Sequence, residues 1–170
     1  LHFAEDYTWR DFIQNDRSFG NTNRLWHIDT MNFIQLIYVS TATHALTDDE
    51  IRQILDSSVR NNGPQKITGM LLYSRGTFMQ VLEGEETAVD QTFSRIAKDS
   101  RHHSINVLSK STASAREFGT WSMGFRGIDA ADVATWPGYA PFFEHGFNAE
   151  QIGAKPGMAF EILKALAPQD

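Results

Sequence analysis

The chain has 170 residues, 41% of them hydrophobic, carries a net charge of −6 and contains no cysteine. That length and apolar content suit one globular domain with some extra elements, and the acidic balance argues against nucleic acid or an anionic membrane as the main partner. Without cysteine there are no disulfides, no thiolate metal sites and no cysteine nucleophiles.

Residues 1–31 read as an N-terminal extension. Trp9, Phe12 and Ile13 fall at i, i+3 and i+4, the spacing of one short amphipathic helix, and residues 19–23, Phe-Gly-Asn-Thr-Asn, read as a loop. With Trp9, Phe19 and Trp26 this leader is either a plain appendage or a docking or dimer element. The start of the chain lacks the basic and apolar stretches of a signal peptide. No apolar run approaches the roughly 20 residues that span a bilayer, and a cytoplasmic location is expected.

Residues 33–40, Phe-Ile-Gln-Leu-Ile-Tyr-Val-Ser, predict a strand that is apolar on both faces and so covered on both sides. Thr47-Asp48-Asp49-Glu50 is a capping box that opens a helix, and Asn61-Asn62-Gly63-Pro64 closes it. Residues 67–74 and 77–83 are two strands joined at Arg75-Gly76, a hairpin signal. A second helix is predicted from Glu86 to Asp99, a fourth strand at 104–109 and a short fifth strand at 121–125, which carries Trp121 and Met123. The order strand, helix, strand, strand, helix, strand, strand predicts an α+β fold: a ferredoxin-like five-stranded mixed sheet with two helices on one face. Residues 127–170 hold too many apolar side chains for a free tail, including Phe142, Phe143, Phe147, Ile162 and Leu166. They predict a C-terminal helical cap on the other face, with Pro156 in the first turn of its last helix.

Polar groups written into apolar faces are the informative residues. Gln80 shares a strand face with Phe78 and Leu82, Tyr38 lies inside the first strand, and Asn62 closes the apolar stripe of the first helix. Each has an ordinary structural explanation on its own. Together they place two amides and a phenol in one region between the helices and the sheet, which suits a planar heterocycle with alternating donors and acceptors. Arg95 and Asp99 lie four apart on the second predicted helix and, from spacing alone, read as a surface ion pair. The adjacent His102 and His103 suit neither a helical nor a strand metal face, and no metal is expected.

The stretch from Asn32 to Phe125 resembles BLUF domains, blue-light sensors that bind FAD. The resemblance is carried by residues 36–40 (Leu-Ile-Tyr-Val-Ser), Asn61-Asn62, residues 67–73 (Ile-Thr-Gly-Met-Leu-Leu-Tyr) and residues 78–84 (Phe-Met-Gln-Val-Leu-Glu-Gly). It continues through Asp99-Ser100-Arg101-His102 and residues 118–123 (Phe-Gly-Thr-Trp-Ser-Met). It implies a division into a 1–31 extension, a 32–126 flavin-binding domain and a 127–170 cap. It also implies a bound flavin, FAD or else FMN or riboflavin. Tyr38 would then be the electron and proton donor and Gln80 the relay between Tyr38 and the flavin. Asn62 would bond the ring edge with Asn61 beside it, and Arg95 and Asp99 would help hold the cofactor. Arg101 and His102 would neighbour its tail, and Trp121 and Met123 would report the change on the fifth strand. The short type implied has no output domain of its own, is not an enzyme, and works as a homo-oligomer or through a separate, unidentified effector.

The main alternative is a flavin-dependent oxidoreductase, against which stands the lack of a Gly-x-Gly-x-x-Gly fingerprint. A phosphate-ester hydrolase on the same fold would need an anion loop that Lys66 and Arg75 do not make. A light-independent interaction module would have no use for the Tyr38, Asn62 and Gln80 set.

Overall fold

The computed structural model describes residues 33–155 and 157–167. The expectations placed on the leader, and on Pro156, lie outside these residues.

Strand β1 (Phe33–Ala42) is followed by helix α1 (Asp48–Asn62) and the hairpin β2 (Thr68–Ser74) and β3 (Thr77–Gly84). Helix α2 (Glu86–Ile96) and strand β4 (His102–Ala113) come next, then the short β5 (Gly124–Gly127). The strands form one sheet in the order β4-β1-β3-β2-β5. All pairings are antiparallel except β2 with β5. This is the expected ferredoxin-like mixed sheet with an added fifth strand.

Local chemistry explains the elements. Thr47 accepts from the Glu50 backbone while the Glu50 carboxylate takes the Thr47 N–H at 2.8 Å, so the capping box forms as the sequence spells it. The hairpin turn is Arg75-Gly76, with φ of 48° and 74° respectively. Positive φ at both positions is what a two-residue turn between twisted strands requires, and Arg75 accepts it at some cost.

The fourth strand runs longer than the sequence expectation of 104–109, over His102–Ala113, and two further boundaries differ nearer the site. Helix α2 ends at Ile96 rather than Asp99. The Asp99 carboxylate accepts the Arg101 N–H at 2.9 Å, and this local turn competes with further helix. The fifth strand runs from Gly124 to Gly127, not over 121–125. The carbonyls just before it are already taken: Gly69 N–H bonds the Trp121 oxygen at 3.1 Å and the Asn62 amide bonds the Ser122 oxygen at 3.0 Å. Trp121 and Met123 therefore lie on the lead-in to β5.

Strand alternation divides the core in two. One face of the sheet carries Leu36, Tyr38, Phe78 and Leu82 and packs under α1 and α2. The other carries Ile37, Val39, Met70, Leu72, Met79 and Val81. Over it lie α3 (Ala130–Thr135), α4 (Ala140–His145), α5 (Ala149–Gly153) and α6 (Met158–Leu166), through Phe142, Phe143, Phe147, Ile152, Ile162, Leu163 and Leu166. The C-terminal cap thus covers the face opposite the first two helices. It is tied to the hairpin as well. Phe147 N–H donates to Thr77 Oγ1 at 2.7 Å, and Ser74 Oγ donates to the Phe143 carbonyl at 3.0 Å. Gly146, at φ 81°, makes this approach possible, since a Cβ there would lie 2.8 Å from Thr77 Oγ1.

Candidate functional site

The register of β1 on β3 sets Tyr38 directly opposite Gln80, and the register of β2 on β3 sets Leu71 on the other side of Gln80. Tyr38 and Gln80 are both buried, on the helix-covered face. The Tyr38 hydroxyl donates to Gln80 Oε1. With its oxygen committed, the Gln80 amide turns its nitrogen to Met123 Sδ at 3.1 Å. A thioether is a weak acceptor, so this donor is held by the least demanding partner in the site.

Asn62 is the buried last residue of α1, and its Nδ2 donates to the Ser122 carbonyl at 3.0 Å. Gln80 and Asn62 thus grip adjacent residues of the same segment. Burial pushes the Tyr38 phenol well above its usual value of 10, and the negative charge of Asp99 adds to the effect. Tyr38 therefore keeps its proton at neutral pH. Phe93 of α2 lies 5.3 Å from the Tyr38 ring, centroid to centroid.

The other expected residues are distributed around this centre. Asp99 pairs with Arg101, in place of the expected Arg95. The hydrogen bond from Arg101 holds the Asp99 carboxyl below the usual range despite partial burial. Arg95 is exposed and donates to Thr92 Oγ1 at 3.2 Å, and Asn61 is exposed. His102 staples β4 to its neighbours, with Nε2 at 2.7 Å from the Ile96 carbonyl and Nδ1 at 2.8 Å from Ser40 Oγ. Met123 is buried in the core beside Gln80, whereas Trp121 is half-buried and packs into the core on the opposite face. Among the described residues no group of acidic or histidine side chains could hold a metal ion, and no helix is long and apolar enough to cross a membrane.

Glu83 was not among the expected site residues. It is fully buried, although its place beside Gly84 and Glu85 resembles the end of a strand. Its alternation with Met79 and Val81 was the available signal: a carboxylate on an apolar strand face must have partners.

The donor set suits a flat heteroaromatic ring. A phenol and an amide are buried on one sheet face, and a second buried amide, Asn62, ends the helix beside it, whose apolar stripe is only partly covered. Of the 15 residues of α1 only Ile51 and Asn62 are buried, while Ile54, Leu55 and Val59 remain half-buried against the core. A stripe with this periodicity is built to be covered.

A family model described as sensors of blue-light using FAD matches residues 33–124. The chain belongs to the BLUF family. BLUF domains are sensors of blue light that use a flavin, and residues 33–124 match such a domain. A photoactivated adenylate cyclase subunit beta of Euglena gracilis is 37% identical over 73 residues, covering 43% of this chain and 8% of that protein. The blue light- and temperature-regulated antirepressor BluF of Escherichia coli K12 is 35% identical over 82 residues, covering 46% of this chain and 20% of the relative. The chain thus spans less than a tenth of the length of the cyclase relative. Among solved structures, the dark state of the BLUF protein BlrB is similar with a TM-score of 0.65 at 27% identity, covering 81% of this chain and 96% of that one. The photo-activated state of BlsA is similar with a TM-score of 0.63 at 26% identity, covering 81% and 99% respectively.

Proposed function

We propose that Tyr38, Gln80 and Asn62 hold the flavin, taken to be FAD, against the sheet between α1 and α2, and that Met123 and the cap carry the signal away. The observation that carries this reading is the Tyr38–Gln80–Met123 chain of hydrogen bonds, with a phenol donating to the amide oxygen and a weak acceptor, the Met123 sulfur, at the amide nitrogen. When bound, the flavin supplies a blue-absorbing chromophore that becomes an electron acceptor on excitation.

Tyr38 is the donor: its neutral phenol is shielded from water and hydrogen-bonded to a group that takes its proton at Gln80 Oε1. Gln80 is the relay, because a primary amide gains a proton at oxygen and releases one from nitrogen. It then need not return to its first arrangement. Rotation of the amide, or its imidic tautomer, redirects Nε2 away from Met123 at little cost, since the bond lost is to sulfur. Asn62 fixes the adjoining Ser122 carbonyl and offers its amide to the ring edge. In this reading Asp99 and Arg101 hold the far part of the cofactor, with Arg95, Asn61 and His102 in its surroundings. No covalent bond forms between the protein and the flavin in this reading, so the lit state relaxes thermally in the dark.

Residues 32–126 form the sensing unit and 127–170 the output cap. The chain itself carries no catalysis in this reading and acts through a homo-oligomer contact or a separate effector protein. The deciding measurement is the visible spectrum of the purified yellow protein before and after blue light. A small reversible red shift that disappears in Gln80→Leu, with flavin retained, is the expected outcome. A shift that persists in that variant rejects Gln80 as the relay.

A further inference from the structure

The Glu83 carboxylate receives hydrogen bonds from four directions. Gln35 Nε2 at 2.7 Å and the Glu117 N–H at 3.0 Å meet Oε1. The Phe118 N–H at 2.9 Å and Thr68 Oγ1 at 3.4 Å meet Oε2. Only an acceptor on both arms satisfies this set; an amide in its place would aim an NH2 at two donors. Arg116 reinforces the same corner, donating to the Glu83 carbonyl at 2.7 Å and to Thr68 Oγ1 at 2.9 Å.

The two residues held by Glu83 are also those that meet the last helix. Glu117 pairs with Lys164 at 2.6 Å, and the Phe118 ring meets Phe160 edge-on at 6.1 Å. Gln80 and Glu83 lie on opposite faces of β3. They therefore fasten the two ends of one short segment: Met123 to the flavin-side face, Glu117 and Phe118 to the cap-side face. Trp121, between them, packs among the cap-side residues.

We infer that Glu83 is a positioning residue for signal transfer, which anchors Glu117–Phe118 to β3 so that a displacement at Ser122–Met123 is passed to α6 instead of being absorbed along the segment. This rests on the reading of Gln80 as relay and of the cap as output. A short tether held at one end transmits movement from the other, and a slack one does not.

The test is hydrogen–deuterium exchange over residues 158–166 of the flavin-loaded full chain, in the dark and under blue light, with the visible spectrum recorded alongside. In Glu83→Gln the red shift keeps its wild-type size, while the light–dark difference in exchange falls by about fivefold or more. A difference that stays at the wild-type level overturns the proposal. Loss of the red shift together with the difference also overturns it, by placing Glu83 in the photochemistry. Should Glu83→Gln not fold, Gln35→Met removes one donor with little change of shape and is read the same way, with a smaller fall expected. A wild-type chain with no light–dark difference over 158–166 overturns the cap as output and this proposal with it. A wild-type difference that survives in the variants overturns this proposal alone.

Discussion

Gln80 holds Met123 by its amide nitrogen at 3.1 Å, and this contact, made possible by the Tyr38 hydroxyl occupying the amide oxygen, joins the proposed photochemical centre to the segment before β5. In Met123→Leu the nitrogen loses its acceptor and the dark arrangement is weakened relative to the lit one. The red shift survives in this variant, and dark recovery slows by about fivefold, the equivalent of about 1 kcal/mol for one weak hydrogen bond. Recovery followed at the red edge of the flavin band checks this; an unchanged rate removes Met123 from the switching network.

Tyr38→Phe keeps the ring and its packing against Phe93 but removes the hydroxyl that donates to Gln80 Oε1. The variant binds flavin and stays yellow, with no reversible red shift and a longer-lived flavin fluorescence. Photocycling at the wild-type yield would remove Tyr38 from the donor role.

Asn62→Ala removes the side chain that links the end of α1 to Ser122. Flavin retention on gel filtration falls, with about 1–2 kcal/mol lost from binding as one buried hydrogen-bonding group is deleted. Full retention would leave Asn62 as no more than the last residue of its helix.

The buried phenol also predicts an alkaline limit. In the folded state Tyr38 keeps its proton well above the usual value of 10, so above pH 10 the folded chain binds more protons than the unfolded one. Stability from this group is complete below pH 10 and falls as pH rises toward the folded value. The wild-type chain therefore loses up to about 1.4 kcal/mol per pH unit more than Tyr38→Phe in that window. Equal slopes in denaturant titrations of the two proteins would contradict the burial of this hydroxyl.

The sheet and its two helices were legible because their signals are local: the capping box at Thr47, the turn at Arg75-Gly76 and the alternation of β3 each act within a few residues. Asn62 and Gln80 were legible as amides on faces that otherwise exclude polar groups. Less was readable where the partners are distant in sequence. Asp99 met Arg101 rather than Arg95 because a side-chain turn ended α2 first, and helical spacing alone does not show this. Trp121 and Met123 left the fifth strand because Gly69 and Asn62, from elsewhere in the chain, claimed the backbone carbonyls of Trp121 and Ser122. Glu83 was hidden by its neighbours Gly84 and Glu85, which made an internal hub resemble the end of a strand.

The packing of the cap sets the scale of any output. Phe142, Phe143, Phe147, Ile152, Ile162, Leu163 and Leu166 all close on one apolar sheet face, and each side chain buried there is worth roughly 1.5–3 kcal/mol. Rearranging one or two hydrogen bonds at Gln80 stores only about 1–3 kcal/mol. On the proposed reading, light therefore has enough leverage to tilt the cap helices but not to strip them from the sheet. A partner would then meet the same folded surface in both states, slightly re-angled.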